Sequence, residues 1–285
     1  MPKHTLYLSR GSAPCRAVLY HLSRISTKSV VTEGLFLIGD VAKPTAEIQI
    51  VDVDLNGGAH VEVLQGINPL HCLPTLETPF GPLWESRAVM LYLAELAQTE
   101  NPDAWTFYPR KLYQRATVNR LLDWDQGTMY RAIGEAVYPL VFQGEEPSDM
   151  KLAALAKVVT HLDENELSDG RPYLTGHDMT VADISIAMGL SMLRLAGLEV
   201  DDVPHCESWL ARMNQSPGWA EVNAFAFDAW VERAKAARAA ADEPDSDEPP
   251  TTEPAKSDPT ATPTEPPAKE PEPDAPESPA PAAAG

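Results

Sequence analysis

Strand-like alternation stops before residue 85, and this boundary limits the fold more than any other feature of the chain. Thr5–Leu8 reads as a short strand, and Glu47–Leu55 alternates apolar and polar residues as a half-buried strand should. Thr75–Thr78, a Pro79-Phe-Gly-Pro82 turn and Leu83-Trp84 read as a hairpin. Helical spacing covers Cys15–Leu22, with Val18, Leu19 and Leu22 on one face, and resumes from Glu85, with apolar residues at 89, 92, 93 and 96. The order β-α-β, then β-β-α, predicts a small sheet flanked by helices. Beyond the polar connector Thr99–Asp103 no strand pattern survives. Amphipathic helical segments cover about 110–143, 150–168, 180–197, 203–214 and 217–240. Thr180-Val-Ala-Asp183 predicts a capping box, with Met179 placed to pack on Ile184.

The last 45 residues obey different rules. Residues 241–285 hold 12 acidic side chains against Lys256 and Lys269, 13 of the 27 prolines, and no apolar side chain larger than alanine. Such a segment cannot bury enough surface to offset its ordering entropy, so disorder is expected there. The foldable part ends near residue 240. The tail's net charge of −10 is half the total of −20, and so acidic a chain is a poor partner for nucleic acid. Cys15, Cys72 and Cys206 form no paired framework, which suits a reducing compartment. Met1–His4 lacks the apolar core of a secretory signal, and no run of 18 apolar residues is present. A soluble, cytoplasmic protein is the expectation.

The chemistry-bearing stretch is Ser12-Ala-Pro-Cys15-Arg16, set between the first strand and the first helix. A small polar residue at that junction sits over the free N–H groups of a helix end, where anions and thiolates are stabilised. The hydroxyl leads, not a cysteine, so no Cys-x-x-Cys dithiol can form, and Cys15 is expected to be a packed helix residue. Ser12 could equally be a plain helix cap. Ser9 competes for the role but lies in or near the strand. Residues 23–43 are long for a connection in a compact unit. They are expected as a surface insertion with its own hairpin or helix; a cover for a substrate pocket, or a misread stretch of coding sequence, are the other readings. His71-Cys72 and His205-Cys206 lack metal-ligand spacing, so no metal is assigned.

Several segments together resemble the cytosolic glutathione transferases, most closely the serine-type theta and delta branches. They are Leu6–Val18, Val53-Asp-Leu55 with Gly58-Ala-His60, Asn68-Pro-Leu70, Leu73-Pro-Thr-Leu76 and Glu85-Ser-Arg-Ala-Val89, followed by Tyr108-Pro109, Arg115–Asn119, Asp125–Tyr130, Leu174-Thr-Gly176 and Thr180–Asp183. The resemblance implies an α+β thioredoxin-like N-terminal domain over 1–98, carrying the 23–43 insertion, and an all-α C-terminal domain over 108–240 with the electrophile pocket. The acidic, Pro-rich tail of 241–285 follows.

It also implies roles. Ser12 donates its hydroxyl to the sulfur of glutathione and favours the thiolate, whose free pKa is about 8.5. Leu73-Pro74 is expected as a cis peptide whose Leu73 backbone pairs with the cysteinyl part of glutathione. Ser86 and the helix start receive the γ-glutamyl carboxylate, and Glu85 receives its ammonium. Their simpler reading is a helix cap with a first-turn acid. His60 holds the glycyl carboxylate, or is a solvent-facing loop histidine. A basic residue is expected at position 72, where this chain has cysteine. The electrophile pocket draws on Arg10, Gly11, Arg115, Asn119, Trp124 and Met129; the last two also fit interhelical core.

The implied function is activation of glutathione as thiolate for conjugation to, or reduction or dehalogenation of, a small hydrophobic electrophile. The implied form is a cytoplasmic detoxifying homodimer with glutathione as co-substrate and no cofactor, nucleic acid or membrane. The rival is a transferase-like glutathione-binding or protein-interaction module without turnover. A third reading gives a working enzyme a protein partner through its tail.

Overall fold

A computed structural model describes residues 3–30, 34–39, 44–55 and 58–224. The proposed tail, and most of the 217–240 helix, lie outside the described residues. The first half forms a six-stranded sheet of β1 (Lys3–Leu8), β2 (Lys28–Val30), β3 (Leu35–Gly39), β4 (Pro44–Asp52), β5 (Thr75–Thr78) and β6 (Gly81–Trp84), in the order β2-β3-β4-β1-β5-β6. Only β1 and β4 run parallel, with Leu6 opposite Ile50; every other neighbouring pair is antiparallel. The alternation read over 47–55 is a strand shifted toward its N-terminus: it ends at Asp52, and the Val53 N–H bonds the Leu8 carbonyl at 2.7 Å. Gly81, at φ +130°, gives the β5–β6 hairpin a backbone conformation that side chains rarely adopt.

The described residues of 23–43, which are 23–30 and 34–39, include the expected hairpin but not as a surface insertion. β2 and β3 extend the main sheet, β3 pairing with β4, and Phe36 and Ile38 are fully buried. The reason is visible in Leu35-Phe-Leu-Ile38: alternate residues point to one face, and the sheet supplies the surface that covers them.

Helix α1 (Ala13–Ile25) and α3 (Ser86–Glu100) pack together, and a single turn-and-a-half, α2 (Ala59–Val63), precedes β5. The second half holds α4 (Leu112–Trp124), α5 (Tyr130–Gln143), α6 (Asp149–His161), α7 (Val181–Ala196) and α8 (Pro204–Asn214). A π-helical turn at Asp125–Met129 joins α4 to α5, and a second at Leu162–Glu166 extends α6. This mixed sheet followed by a helical bundle is the architecture expected from the sequence.

The centre of the molecule is α7, with every residue buried except Ser191 and Arg194. Its start is the predicted capping box. The Asp183 carboxylate accepts from the Thr180 N–H at 2.8 Å, the Thr180 hydroxyl at 2.9 Å, the Leu174 N–H at 2.9 Å and the Trp209 indole at 3.0 Å. Four donors thereby tie the 174–180 loop and α8 to one buried carboxylate. Helix α1 crosses α7 through Arg16, whose guanidinium reaches the Met188 sulfur, the Ser191 hydroxyl and the Asn223 amide oxygen. Burial pulls its pKa down to about 10.

On the same helix, His21 donates from Nε2 to the Thr106 carbonyl at 3.0 Å, and burial lowers its pKa to about 4. The folded state therefore holds His21 neutral, whereas the unfolded chain takes up a proton near pH 6.5. Between those values the unfolded state binds more protons, so stability falls as pH falls. Urea unfolding at pH 7 and pH 4.5 should show about 2–3 kcal/mol of loss from this group. His21→Gln should remove that part of the slope, leaving the carboxylate contribution.

Candidate functional site

The turn from β1 into α1 places the Ser12 hydroxyl in a hydrogen bond with the Cys15 thiol. Ser12 occupies the N-cap of α1 in extended geometry (φ −76°, ψ 126°); its N–H bonds the Ser9 carbonyl at 3.0 Å and its carbonyl accepts from the Arg16 N–H at 2.9 Å. Its side chain makes no capping bond, so the plain-cap reading does not describe it. Cys15, three residues on, is fully buried, and burial pushes its pKa up to about 11 against the lowering influence of the neighbouring Ser12. It packs as a helix residue.

Beside this turn lies a cleft of about 200 Å³, where Pro14, Leu73, Pro74, Glu85, Ser86 and Gln126 converge, with Cys72, Arg87 and Tyr130 completing the wall. The Leu73-Pro74 peptide is cis. Glu85 sits at the N-cap of α3 with φ +70°, a left-handed conformation that costs a non-glycine residue about 1–3 kcal/mol. It turns the chain so that Ser86 opens the helix. Ser86 is 5 % exposed and its hydroxyl has no partner among the described residues. No side chain caps α3, so its first N–H groups also face outward unpaired. A carboxylate is the complement of that arrangement.

The opposite wall comes from the helical half. Gln126 donates to the Glu85 carboxylate at 3.4 Å. Arg87 donates through Nε to Asp125 at 3.0 Å, the Ser185 hydroxyl reaches the same carboxylate oxygen at 2.7 Å, and the guanidinium lies 5.6 Å from the centre of the Tyr130 ring. Burial pushes Asp125 upward, opposed by Arg87 and Ser185. The Tyr130 and Tyr138 hydroxyls bond at 2.6 Å, and burial raises Tyr130 well above the usual phenol range.

Of the predicted residues, Leu73, Pro74, Glu85 and Ser86 meet in this cleft, and Ser12 heads the adjoining turn. His60 lies in α2, half-buried, outside the lining of the cleft. The electrophile-pocket set scatters. Arg10 pairs with Asp52 at 2.5 Å, next to the half-buried Gly11. Arg115 pairs with Glu95 and lies 4.5 Å from the centre of the Tyr108 ring, while the Tyr108 hydroxyl donates to Asn119 at 3.1 Å. These two residues therefore fasten α4 to α3 and the connector. Met129 must be corrected: it is fully buried, with no surface for a ligand to touch. Trp124 lines a different groove, of about 430 Å³, between the π-helical turn and α6, with its ring 5.4 Å from His161.

Sequence reasoning missed Gln126 and Tyr130. Their spacing of four is the available signal, but the π-helical turn changes the phase of the helix there. Among the described residues no group of acidic, histidine or cysteine side chains could hold a metal ion, and no helix is long and apolar enough to cross a membrane.

The family model for the glutathione S-transferase C-terminal domain matches residues 128–217. The structure is similar to that of a delta-class glutathione transferase of Nilaparvata lugens, with TM-score 0.67 and 29% identity over 82% of this chain and 99% of that one. It is similar to the unclassified glutathione S-transferase 2 of Bombyx mori, with TM-score 0.65 and 26% identity over 83% and 97%. Human glutathione S-transferase T1-1 gives TM-score 0.63 and 27% identity over 80% and 91%.

The wall of the cleft depends on Asp125, which is buried with Arg87. Asp125→Ala strands a guanidinium and should cost about 3–5 kcal/mol in urea unfolding. Replacing both partners with apolar residues should recover most of that loss.

Proposed function

We propose that the chain works as a glutathione S-transferase, a reading its fold and its C-terminal domain support, and that Ser12 activates glutathione as a thiolate for attack on a small electrophile. The observation that carries this reading is the position of Ser12, which heads α1 without capping it and holds its hydroxyl against the Cys15 thiol, beside a cleft lined by Ser86 and the start of α3. The cleft suits the γ-glutamyl and cysteinyl parts of the tripeptide. The Leu73 backbone, next to its cis proline, offers an N–H and a carbonyl to the cysteinyl residue as an added strand would. Ser86 and the free amides of α3 receive the γ-glutamyl carboxylate, and Glu85, steadied by Gln126, receives the ammonium.

With its γ-glutamyl end and cysteinyl backbone held, the tripeptide directs its sulfur toward the α1 turn. A hydrogen bond from Ser12 there stabilises the charged sulfur more than the neutral one, so more of the bound co-substrate is nucleophilic at neutral pH. The thiolate then attacks an electrophilic carbon or oxygen. A bond from sulfur forms as the bond to the leaving group breaks, and the leaving group departs with the electron pair. Conjugation, dehalogenation and peroxide reduction share this first step. The reading extends to a cytoplasmic twofold dimer that detoxifies small apolar electrophiles, the usual form of the family, with His60 on the glycyl carboxylate.

Ultraviolet difference spectroscopy tests the proposal. Glutathione added to the wild type should give a thiolate band that Ser12→Ala loses, with binding of S-methylglutathione retained and turnover reduced about a hundredfold or more. A band of equal size in Ser12→Ala would overturn the role of Ser12. Binding without a band in either protein would favour the non-catalytic module. Ser86→Ala should weaken S-methylglutathione binding about tenfold or more in a calorimetric titration, because it removes a donor to a charged carboxylate.

A further inference from the structure

The chain places a thiol inside the cleft. Cys72 precedes Leu73 directly, lines the same wall and is only half-buried. The other two cysteines are sequestered: Cys15 is fully buried, and Cys206, with 1 % of its surface exposed, has its pKa pushed up to about 12, chiefly by burial and then by Asp163. Cys72 is held in place from behind. The fully buried Asn68 donates from Nδ2 to the Cys72 sulfur at 3.3 Å, to the Cys72 carbonyl at 3.3 Å and to the Thr75 hydroxyl at 2.8 Å. Thr75 in turn donates to the Cys72 carbonyl at 2.7 Å. The thiol is thus a fixed part of the wall.

A second observation marks this wall as built for a ligand. Ser86, more than nine-tenths buried, lines the same cleft with a hydroxyl that no described residue satisfies. The hydroxyl oxygen itself reaches the surface of the cleft, where a bound polar group can pair with it. Cys72 and Ser86 therefore face one small volume, and any molecule that satisfies Ser86 is brought against the thiol.

We propose that Cys72 is a modification site at which a glutathione disulfide, bound with one half in the cleft, exchanges to leave glutathione joined to Cys72. The proposal rests on the reading of the cleft as a glutathione site. Recognition uses the same contacts, with the cysteinyl residue of the bound half beside Leu73 and so one residue from the thiol. The Cys72 thiolate, its proton given to solvent, attacks one sulfur of the disulfide. A sulfur–sulfur bond forms to Cys72 as the original one breaks, and the other glutathione leaves as its thiolate. Cys72 is oxidised and one half of the disulfide is reduced, so no further oxidant enters. The tethered tripeptide then fills the space that the co-substrate needs. Activity would fall as the ratio of disulfide to thiol rises, and a reducing thiol would restore it.

The test incubates the full chain with glutathione disulfide and follows intact mass, with peptide mapping of the adduct. One glutathionyl group on Cys72, none on Cys15 or Cys206, and no adduct in Cys72→Ser is the expected result. S-methylglutathione cannot exchange, and at ten times its dissociation constant it should slow adduct formation about tenfold. Calorimetric titration of the same protein with S-methylglutathione separates the two readings. Binding with no adduct, an adduct elsewhere, or a Cys72 adduct indifferent to that ligand overturns this inference and leaves the co-substrate site standing. Absence of binding overturns the co-substrate site and, with it, the role given to Cys72.

Discussion

The cleft depends on one buried charge pair. Arg87 leaves the first turn of α3, from the half of the chain that carries the sheet, and meets Asp125 in the π-helical turn of the other half. Ser185 of α7 bonds the same carboxylate. Burying two charges is costly, and their attraction offsets that cost only when the geometry is good and neighbours supply further bonds. Here the neighbours are spent on position. With Asp125 fixed, Gln126 faces Glu85 and Tyr130 lies beside Arg87, so one junction sets the far wall of the cleft. Asp183 plays the matching part at the other end of the bundle, where its carboxylate gathers the 174–180 loop and α8.

Much of this was legible in the residues because the signals were local. Thr180 and Asp183, three apart before an apolar run, can hardly be anything but a helix start, and the capping box is there. The Leu73-Pro74 and Glu85-Ser86 pairs lie at the ends of predicted strands, where side chains and backbone groups can reach a common space. Residues 28–39 were harder, because their pairing partner lies beyond them in sequence. Phe36 and Ile38 become core only once β4 is beside them. Met129 and Trp124 fitted either a pocket or interhelical core from sequence, and the packing decides between them: Met129 is fully buried, and Trp124 lines a separate groove beside His161.

The cleft is economical in side chains. Its polar features are mostly backbone: the amides at the start of α3, the peptide around Leu73, and the unusual torsion of Glu85 that brings them together. Sequence shows such features only through the residues that tolerate them. This is why Ser86, a small residue able to sit against a helix end, is informative while the glutamate before it resembles an ordinary cap. Cys72 shows the same point from the other side. The wall keeps its form through Asn68 and Thr75, so the residue at 72 is free to differ in chemistry without disturbing the path of the chain.

The two π-helical turns have a common consequence. Each inserts about one residue into a 3.6-residue turn; at Asp125–Met129 this rotates all of α5 by about 100° around the axis relative to α4, whereas the turn at Leu162–Glu166 ends its helix. Each also turns an aspartate inward, Asp125 toward Arg87 and Asp163 toward the amide of Cys206 at the start of α8. A long helix with such a turn behaves like a shaft with a keyed coupling. The segment before it can be oriented for one set of neighbours and the segment after it for another, with no loop between them. Recognition on the α4–α5 rod is therefore stored as an angle as well as an identity, and a change of length within the turn that joins them would rewrite a whole face at once.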